Sequence, residues 1–270
     1  MDGTGVDMRN RLAHVVFRGT IRERSVEPYV RLLNSLRGRR RIRGVLLDIS
    51  SGGGEAIASL DFHLAVKRLD QVTPVYASVG SIAASGAYMA ALGARRIFAY
   101  PESEVGSIGV IFPHFAVREL LNRLGISVEL LHVGEHKDAY QGYRPLTEVE
   151  RAKLLLVAQE GYDEFVGLVA KERKRTVEEI RPLATGEFWS GRRALQLGLI
   201  DALGDREVAL AALSEVVGVP VRKTLRLAPP RSFVDRLLSG GNNSTGGLSA
   251  RVHDVIEDTI LDLSGFGLRR

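Results

Sequence analysis

The chain has 270 residues, of which 45% are hydrophobic and 26% are charged, and its net charge is +5. These values are ordinary for a globular protein with a sizeable core, so a disordered chain is excluded. The chain has no cysteine, which excludes disulfides, thiolate metal ligands and cysteine nucleophiles. No run of about 18 apolar residues is present. We therefore expect the chain as it stands to be cytoplasmic.

Strand and helix patterns alternate along the first half of the chain. The apolar spacing predicts a strand at AHVVFRG, a helix at EPYVRLLNSLRG and a strand at GVLLDIS. A glycine turn and a helix follow, then a strand at 74–79 and a helix from about residue 81. Further strands are predicted at RRIFAYP and GSIGVIF, with a helix, a glycine stop and another strand across 115–133. This repeated βα order predicts an α/β fold with a mainly parallel sheet.

Helices dominate from Thr147 onward. The pattern predicts one long amphipathic helix, a short helix at TVEEIRPLA, and then a helix, a short strand and a helix. We assign residues 1–228 to one domain and residues 229–270 to a flexible linker and a C-terminal amphipathic helix. That helix could dock on its own domain, on another subunit or peripherally on a membrane surface.

A basic run, RGRRRIRG, covers residues 37–44. Such a run attracts phosphate groups or anionic lipids. It lacks the interleaved aromatic side chains on which single-stranded nucleic acids stack. We interpret it as a solvated helix end and loop, and we expect no nucleic-acid partner.

Ser85 is the first candidate for chemistry. It stands in the small-residue stretch SIAASGAYMA, at the predicted start of a helix. Free backbone N–H groups there carry positive partial charge, so a hydroxyl can act as a nucleophile whose oxyanion the amides stabilise. Helix-capping serines are nevertheless commoner than nucleophiles. Ala83 also stands where the usual nucleophile elbow has its first glycine.

Two loops carry further candidates. The stretch SSGGGEA, residues 50–56, leaves backbone amides uncovered for a close peptide or an oxyanion; a plain strand-to-helix turn is the alternative. Its spacing is not that of a nucleotide-binding loop. Lys137 lies in a polar loop within residues 134–150. Most lysines are solvated cations, but burial lowers a lysine's pKa and allows it to act as a base.

The histidines offer no clearly better base. His114 is the most plausible alternative, so a Ser-His-Asp triad stays open. The others fall in a predicted strand, a predicted helix, the Lys137 loop and the tail: His14, His63, His132, His136 and His253. No cluster of His, Asp and Glu has metal-ligand spacing, and we expect neither a metal nor another cofactor.

Four motifs in order carry a resemblance to a known family: GVLLDISSGGGEA, SVGSIAASGAYMAA, EVGSIGV, and GEHKDAY followed by RPLTEVE. With them the chain resembles the signal peptide peptidase A family of serine proteases, in the Clp-protease/crotonase superfamily, from about residue 12 to about residue 217. The resemblance implies a Clp-protease/crotonase-like spiral of repeated ββα units with a mainly parallel sheet and a helical C-terminal part. It makes residues 1–228 a peptidase domain.

The resemblance also implies roles for three side chains. The serine of the family's alanine-alanine-serine-glycine motif falls on Ser85, which would be the nucleophile. The lysine of its lysine-aspartate motif falls on Lys137, which would be the general base. The serine of its glycine-serine-hydrophobic-glycine motif falls on Ser107, whose hydroxyl positions the lysine amine in the family.

Backbone amides complete the implied site. The glycines of the family's serine-proline-glycine-glycine turn fall on Gly53 and Gly54, and the amides of Gly54 and Gly86 would form the oxyanion hole. Gly52 replaces the family's usual proline, and AYQGY replaces the usual serine-proline after the lysine-aspartate pair. These departures concern the rigidity of the turn and the shape of the substrate cleft.

The implied activity is that of a serine endopeptidase with a Ser/Lys dyad. Its substrates would be unstructured peptides, such as cleaved signal peptides or membrane-associated protein fragments. Short members of the family form rings in which the lysine of one protomer completes its neighbour's site, so we expect a homo-oligomeric ring of eight subunits. The alternatives are a crotonase-type acyl-CoA enzyme and an inactive oligomeric scaffold that binds peptides.

Overall fold

The computed structural model describes residues 10–229. The strands of this part are β1 (Arg11–Arg18), β2 (Ile42–Ser51), β3 (Val75–Ala84), β4 (Arg96–Ala99), β5 (Glu104–Gly106), β6 (Phe188–Ser190), β7 (Ala202–Leu203) and β8 (Thr224–Leu227). Its α-helices are α1 (Glu23–Leu36), α2 (Ala56–Asp70), α3 (Gly86–Ala91), α4 (Arg118–Arg123), α5 (Glu148–Arg173), α6 (Val177–Ile180), α7 (Gly191–Gln196) and α8 (Arg206–Val217).

The strands form one mainly parallel sheet in the order β6-β5-β3-β2-β1-β8. Strand β3 is long enough to pair twice on the same side: its first half pairs with β4, which continues to β7, and its last three residues pair with β5. The β5–β6 pair is antiparallel, and the other strand pairs are parallel. The predicted α/β class is confirmed.

Helices cover both faces of this sheet. Strand β2 is a nearly continuous apolar run, as expected of a parallel strand that is buried on both sides. Val45, Leu47 and Ile49 pack into the larger core with residues of α1, α2 and α3. Leu46 points to the other face and joins a smaller cluster with Leu213 of α8. The C-terminal ends of β2 and β3 therefore project from a rigid, two-sided core.

Residues 10–229 divide into two compact units. Residues 10–110 and 160–229 form the first, which contains the sheet, and residues 111–159 belong to the second. The predicted long helix after Thr147 is confirmed as α5, whose residues are shared between the units. Within residues 10–229, no helix combines the length and the apolar composition that crossing a membrane requires. The predicted linker and C-terminal helix lie outside the described residues from residue 230 onward.

Two predicted element boundaries were wrong, and one predicted strand is not formed. The strand predicted at 74–79 continues to Ala84, because Ile82, Ala83 and Ala84 pair with β5, and helix α3 begins only at Gly86. The strand predicted at GSIGVIF lies earlier, at Glu104–Gly106. The strand predicted near the end of 115–133 is not formed, although α4 is present. Alternating apolar residues form a strand only where a partner strand is available.

Candidate active site

Ser85 occupies a sharp turn between β3 and α3. Its backbone is held at φ 51° and ψ −121°, a conformation that residues with a side chain rarely adopt and that costs energy to maintain. The turn is fixed by the Ser85 N–H, which donates to the carbonyl of Gly106 at 2.7 Å. Among residues 10–229 its hydroxyl has no hydrogen-bond partner. A capping role for this hydroxyl therefore has no support, although Ser85 does stand at the position before α3.

The glycine turn after β2 packs directly onto the Ser85 turn. A Cβ at Gly53 would lie 2.7 Å from the carbonyl oxygen of Ala84 and 2.8 Å from the amide nitrogen of Gly86. A Cβ at Gly86 would lie 3.5 Å from the amide nitrogen of Gly54. The backbones of these two turns thus approach each other closely because no side chain stands between them. The structure brings Gly53, Gly54 and Gly86 together beside Ser85.

Gly54 is the position in this turn where a side chain would be least tolerated. Its φ is 154°, and a Cβ would lie 1.9 Å from the carbonyl oxygen of Ile21, which pairs with the turn in a short parallel bridge. We expect Gly54→Ala to lower the free energy of unfolding by about 1–3 kcal/mol through overpacking and backbone strain. It should also displace the Gly54 amide, which would reduce the peptidase turnover that the family resemblance implies.

Gly52 provides the matched control for this measurement. Within residues 10–229, no atom beyond the adjacent residues lies within 4 Å of the Cβ that alanine would place there, so Gly52→Ala should leave the melting temperature and the peptidase rate near those of the wild type. Equal effects of Gly52→Ala and Gly54→Ala in thermal melts and rate assays would contradict the close approach at Gly54.

Ser107 follows the end of β5, as Ser85 follows the end of β3. Ala84 and Gly106 are paired in the sheet, so Ser85 and Ser107 follow paired residues at the ends of β3 and β5. Ser107 also has a positive φ, 48°. Its N–H donates to the carbonyl of Glu187 at 2.8 Å, and its hydroxyl donates to the carbonyl of Gly186 at 3.1 Å. The antiparallel strand β6 follows these two carbonyls and so helps to fix Ser107.

Ser107→Ala should reduce the peptidase rate by roughly tenfold, the equivalent of one hydrogen bond of about 1.4 kcal/mol. The reduction should be smaller than that caused by loss of Ser85, because Ser107 would orient the base without reacting. The measurement is kcat for the purified variant. A loss as large as that of Ser85→Ala would instead make Ser107 a reacting group.

Lys137 belongs to the second unit, whereas Ser85, Ser107 and the three glycines belong to the first. Lys137 lies in an exposed loop before α5, and its N–H donates to the carbonyl of Gly134 at 3.1 Å. The following residue, Asp138, accepts two hydrogen bonds from Arg144. These bonds hold the pKa of Asp138 below its usual range.

The histidines are engaged elsewhere. The ring of His114 contacts the carbonyl of Arg144 at 2.8 Å. His63 is buried, its Nδ1 lies 3.0 Å from the carbonyl of Met89, and burial lowers its pKa. His14 contacts the buried carboxylate of Asp48 at 3.3 Å. Over residues 10–229 no three His, Asp or Glu side chains are grouped so that they could hold a metal ion.

The sequence prediction missed two groups around the candidate residues. Ser59 of α2 is buried beside Gly86. A Cβ on Gly86 would lie 1.9 Å from the hydroxyl oxygen of Ser59. The second group is the set of hydrogen bonds around Arg144 in the Lys137 loop. The spacing Thr-x-x-Glu at Thr147 and Glu150, a helix-capping signature, was the available signal for this second group.

Comparison with known proteins identifies the family. Residues 67–220, more than half of the chain, match the family model of peptidase family S49. The chain belongs to peptidase family S49. The S49 chain is 37% identical over 191 residues to a candidate protease of Methanocaldococcus jannaschii, covering 71% of this chain and 61% of that protein. It is 32% identical over 186 residues to a candidate signal peptide peptidase A of Enterococcus faecium, covering 68% of this chain and 54% of that protein.

These matches confirm the predicted membership of the signal peptide peptidase A family. The chain spans between half and two thirds of the lengths of the two relatives. Among solved structures, a mutant of the membrane-bound stomatin-specific protease 1510-N aligns with a TM-score of 0.52 and 16% identity, over 82% of this chain and 99% of that one. That likeness concerns the fold, and the predicted Clp-protease-like fold is confirmed.

Proposed function

We propose that this S49 peptidase is a serine endopeptidase in which Ser85 is the nucleophile and Lys137 is the general base. The observation that carries the proposal is the strained turn at Ser85, packed against the glycine turn at Gly53 and Gly54. A positive φ on a serine between a strand and a helix is a feature of exposed nucleophiles. The neighbouring amides are suited to an oxyanion.

The reaction is an acyl transfer in two halves. The neutral amine of Lys137 accepts the proton of the Ser85 hydroxyl, and Oγ attacks the peptide carbonyl carbon. The amides of Gly54 and Gly86 stabilise the resulting oxyanion. The ammonium then protonates the leaving nitrogen as the C–N bond breaks, which leaves an acyl ester on Ser85. Water, deprotonated by the amine, attacks the ester and releases the new carboxylate, and Ser85 recovers its proton.

The proposed substrates are unstructured peptides, including cleaved signal peptides and fragments of membrane-associated proteins. Small residues around Ser85 and the glycines opposite leave room for an extended main chain, whereas a folded protein cannot place its backbone there. The name of the Enterococcus faecium relative supports the signal-peptide assignment. No cofactor takes part in the proposed chemistry.

The test is digestion of unfolded proteins and signal peptides by the wild type and by Lys137→Ala, beside a panel of acyl-CoA thioesters. Cleavage of the peptides by the wild type alone supports the proposal. Turnover of acyl-CoA without peptide cleavage would replace it with a crotonase-type activity. Peptide binding without any turnover would make the protein a scaffold.

We also propose that the protein acts as a homo-oligomeric ring, with eight subunits by family resemblance. Three apolar side chains of the second unit are almost fully exposed: Ile111 is 87% exposed, Leu131 is 89% exposed and Val133 is 97% exposed. Contiguous apolar surface is usually covered by a partner, and we propose that these side chains contribute to such a surface. A second copy is the natural partner if Lys137 of one protomer serves Ser85 of its neighbour.

Mixing inactive subunits tests this shared site. Ser85→Ala and Lys137→Ala subunits, dissociated and reassembled together, should regain part of the wild-type activity, because some sites then combine an intact serine with an intact lysine. Each variant reassembled alone is the control and should stay inactive. Mixed rings without activity, or an active monomer isolated by size-exclusion chromatography, would contradict the shared site.

A further inference from the structure

Arg144 lies at the centre of the hydrogen bonds in the loop that carries Lys137. Its guanidinium donates to the carboxylate of Asp138, the residue after Lys137, from Nε at 2.9 Å and from Nη2 at 3.1 Å. It also donates to the carboxylate of Glu150 from Nη1 at 2.9 Å and from Nη2 at 2.8 Å. A fifth bond runs from Nη1 to the carbonyl of Pro145 at 3.1 Å. Together these bonds use all five N–H groups of the guanidinium.

Among the residues bound by Arg144, Glu150 is held in place by burial and by its position in a helix. It lies in the first turn of α5, and only 2% of its side chain is exposed. Its carboxylate accepts the N–H of Thr147 at 2.8 Å, while the Thr147 hydroxyl accepts the N–H of Glu150 at 3.3 Å, which forms a helix cap. The hydrogen bonds from Arg144 hold the pKa of Glu150 far below its usual range. Arg144 therefore ties Asp138 to the capped start of a long helix.

Apolar packing holds this loop only weakly. Across residues 131–143, Ala139 is the single residue that is buried within the described part of the chain. A segment with so few buried contacts relies on polar contacts for a defined conformation. The contacts of His132 and His136 with the two carboxylates are longer, 3.9 Å to Asp138 and 3.6 Å to Glu150, and His132 Nδ1 also lies 3.1 Å from the carbonyl oxygen of Gly134. The bidentate bonds of Arg144 are the strongest polar contacts in this stretch.

We propose that Arg144 is a positioning residue, which places the Lys137 amine for catalysis by bridging Asp138 and the start of α5. This inference rests on the proposed role of Lys137 as the base. A lysine at position 144 could not hold two carboxylates in bidentate geometry. Loss of the guanidinium would leave two carboxylates facing each other, and the loop would move apart to separate them.

The first test is the kinetics of Arg144→Ala. A displacement of the amine by about 1 Å is sufficient to lower kcat by about 100-fold, and KM should change little because all five N–H groups of Arg144 are used by Asp138, Pro145 and Glu150. Arg151→Ala is the matched control: Arg151 forms an exposed pair with Glu148 at 3.8 Å in the same unit, and its loss should leave kcat unchanged. A kcat for Arg144→Ala equal to that of Arg151→Ala would overturn the inference.

Rescue separates positioning from a general loss of structure. Millimolar guanidinium ion, added to Arg144→Ala, should raise kcat by about tenfold by occupying the empty place between the two carboxylates. It should not activate Lys137→Ala or Arg151→Ala. An Arg144→Ala protein that stays folded in circular dichroism but gains nothing from guanidinium would contradict the inference.

If Arg144→Ala does not fold, Asp138→Asn provides a second test of the positioning role. It weakens only the bonds next to Lys137 and leaves the buried pair with Glu150 intact, so a folded protein with kcat lowered by about tenfold is expected. Wild-type kcat in Asp138→Asn would refute the bridge. If Lys137→Ala itself retains activity, the proposed base is wrong. If Lys137→Ala is inactive while Arg144→Ala has wild-type kcat, only the role of Arg144 is wrong.

Discussion

Replacing Ser85 by alanine should lower the peptidase rate by about 10⁴-fold or more, the loss expected when a nucleophile is removed. The fold should be unaffected, because the Ser85 hydroxyl has no hydrogen-bond partner within residues 10–229. Alanine also meets the same backbone strain at φ 51° that serine already meets. The measurement is kcat/KM on an unstructured peptide, together with the melting temperature.

Ser35→Ala is the matched control for this substitution. Ser35 is exposed on α1, and its hydroxyl donates only to a carbonyl of its own helix, that of Leu32 at 2.7 Å. We expect wild-type turnover from Ser35→Ala. Wild-type turnover from a folded Ser85→Ala protein would show that the nucleophile lies elsewhere.

Replacing Lys137 by alanine should lower kcat by about 10³-fold, within the range for loss of a general base. A base must be unprotonated to accept the serine proton, and lysines are ordinarily protonated at neutral pH. The wild-type rate should therefore rise with pH through the alkaline range while chemistry limits the rate. Lys137→Ala should lose this rise together with its activity.

Lys153→Ala is the control, since Lys153 is an exposed lysine of α5 in the same unit. It should keep both the rate and the pH profile of the wild type. A flat wild-type profile from mildly acidic to alkaline pH, under conditions where chemistry is rate-limiting, would argue against Lys137 as the base. A histidine such as His114 would then become the leading candidate.

Local sequence signals were sufficient to predict much of the first unit. The run GVLLDIS is a nearly continuous apolar run, and it forms β2 as expected of a buried parallel strand. The three glycines after it predicted a turn that another backbone could approach, and Gly53 lies against the backbone at Ala84 and Gly86. The long helix after Thr147 followed from its apolar spacing.

Long-range pairing explains what the sequence did not predict. The extension of β3 to Ala84 depends on its pairing with β5, which is remote in sequence, and small residues carry little periodic signal. The positive φ values of Ser85 and Ser107 arise where these paired strands end. The contacts of Arg144 depend on the folded conformation of the loop around Asp138. Helix and strand periodicities do not predict the conformation of such a loop.

The most direct test of the Ser85 assignment is covalent labelling with a fluorophosphonate, followed by mass-spectrometric mapping of the adduct. An activated serine reacts with this probe, whereas an ordinary surface serine does not. We expect a single adduct on Ser85 in the wild type, formed in step with loss of peptidase activity and strongly reduced in Lys137→Ala. An adduct on another residue that accompanies inactivation, or full inactivation with Ser85 unmodified, would contradict this assignment.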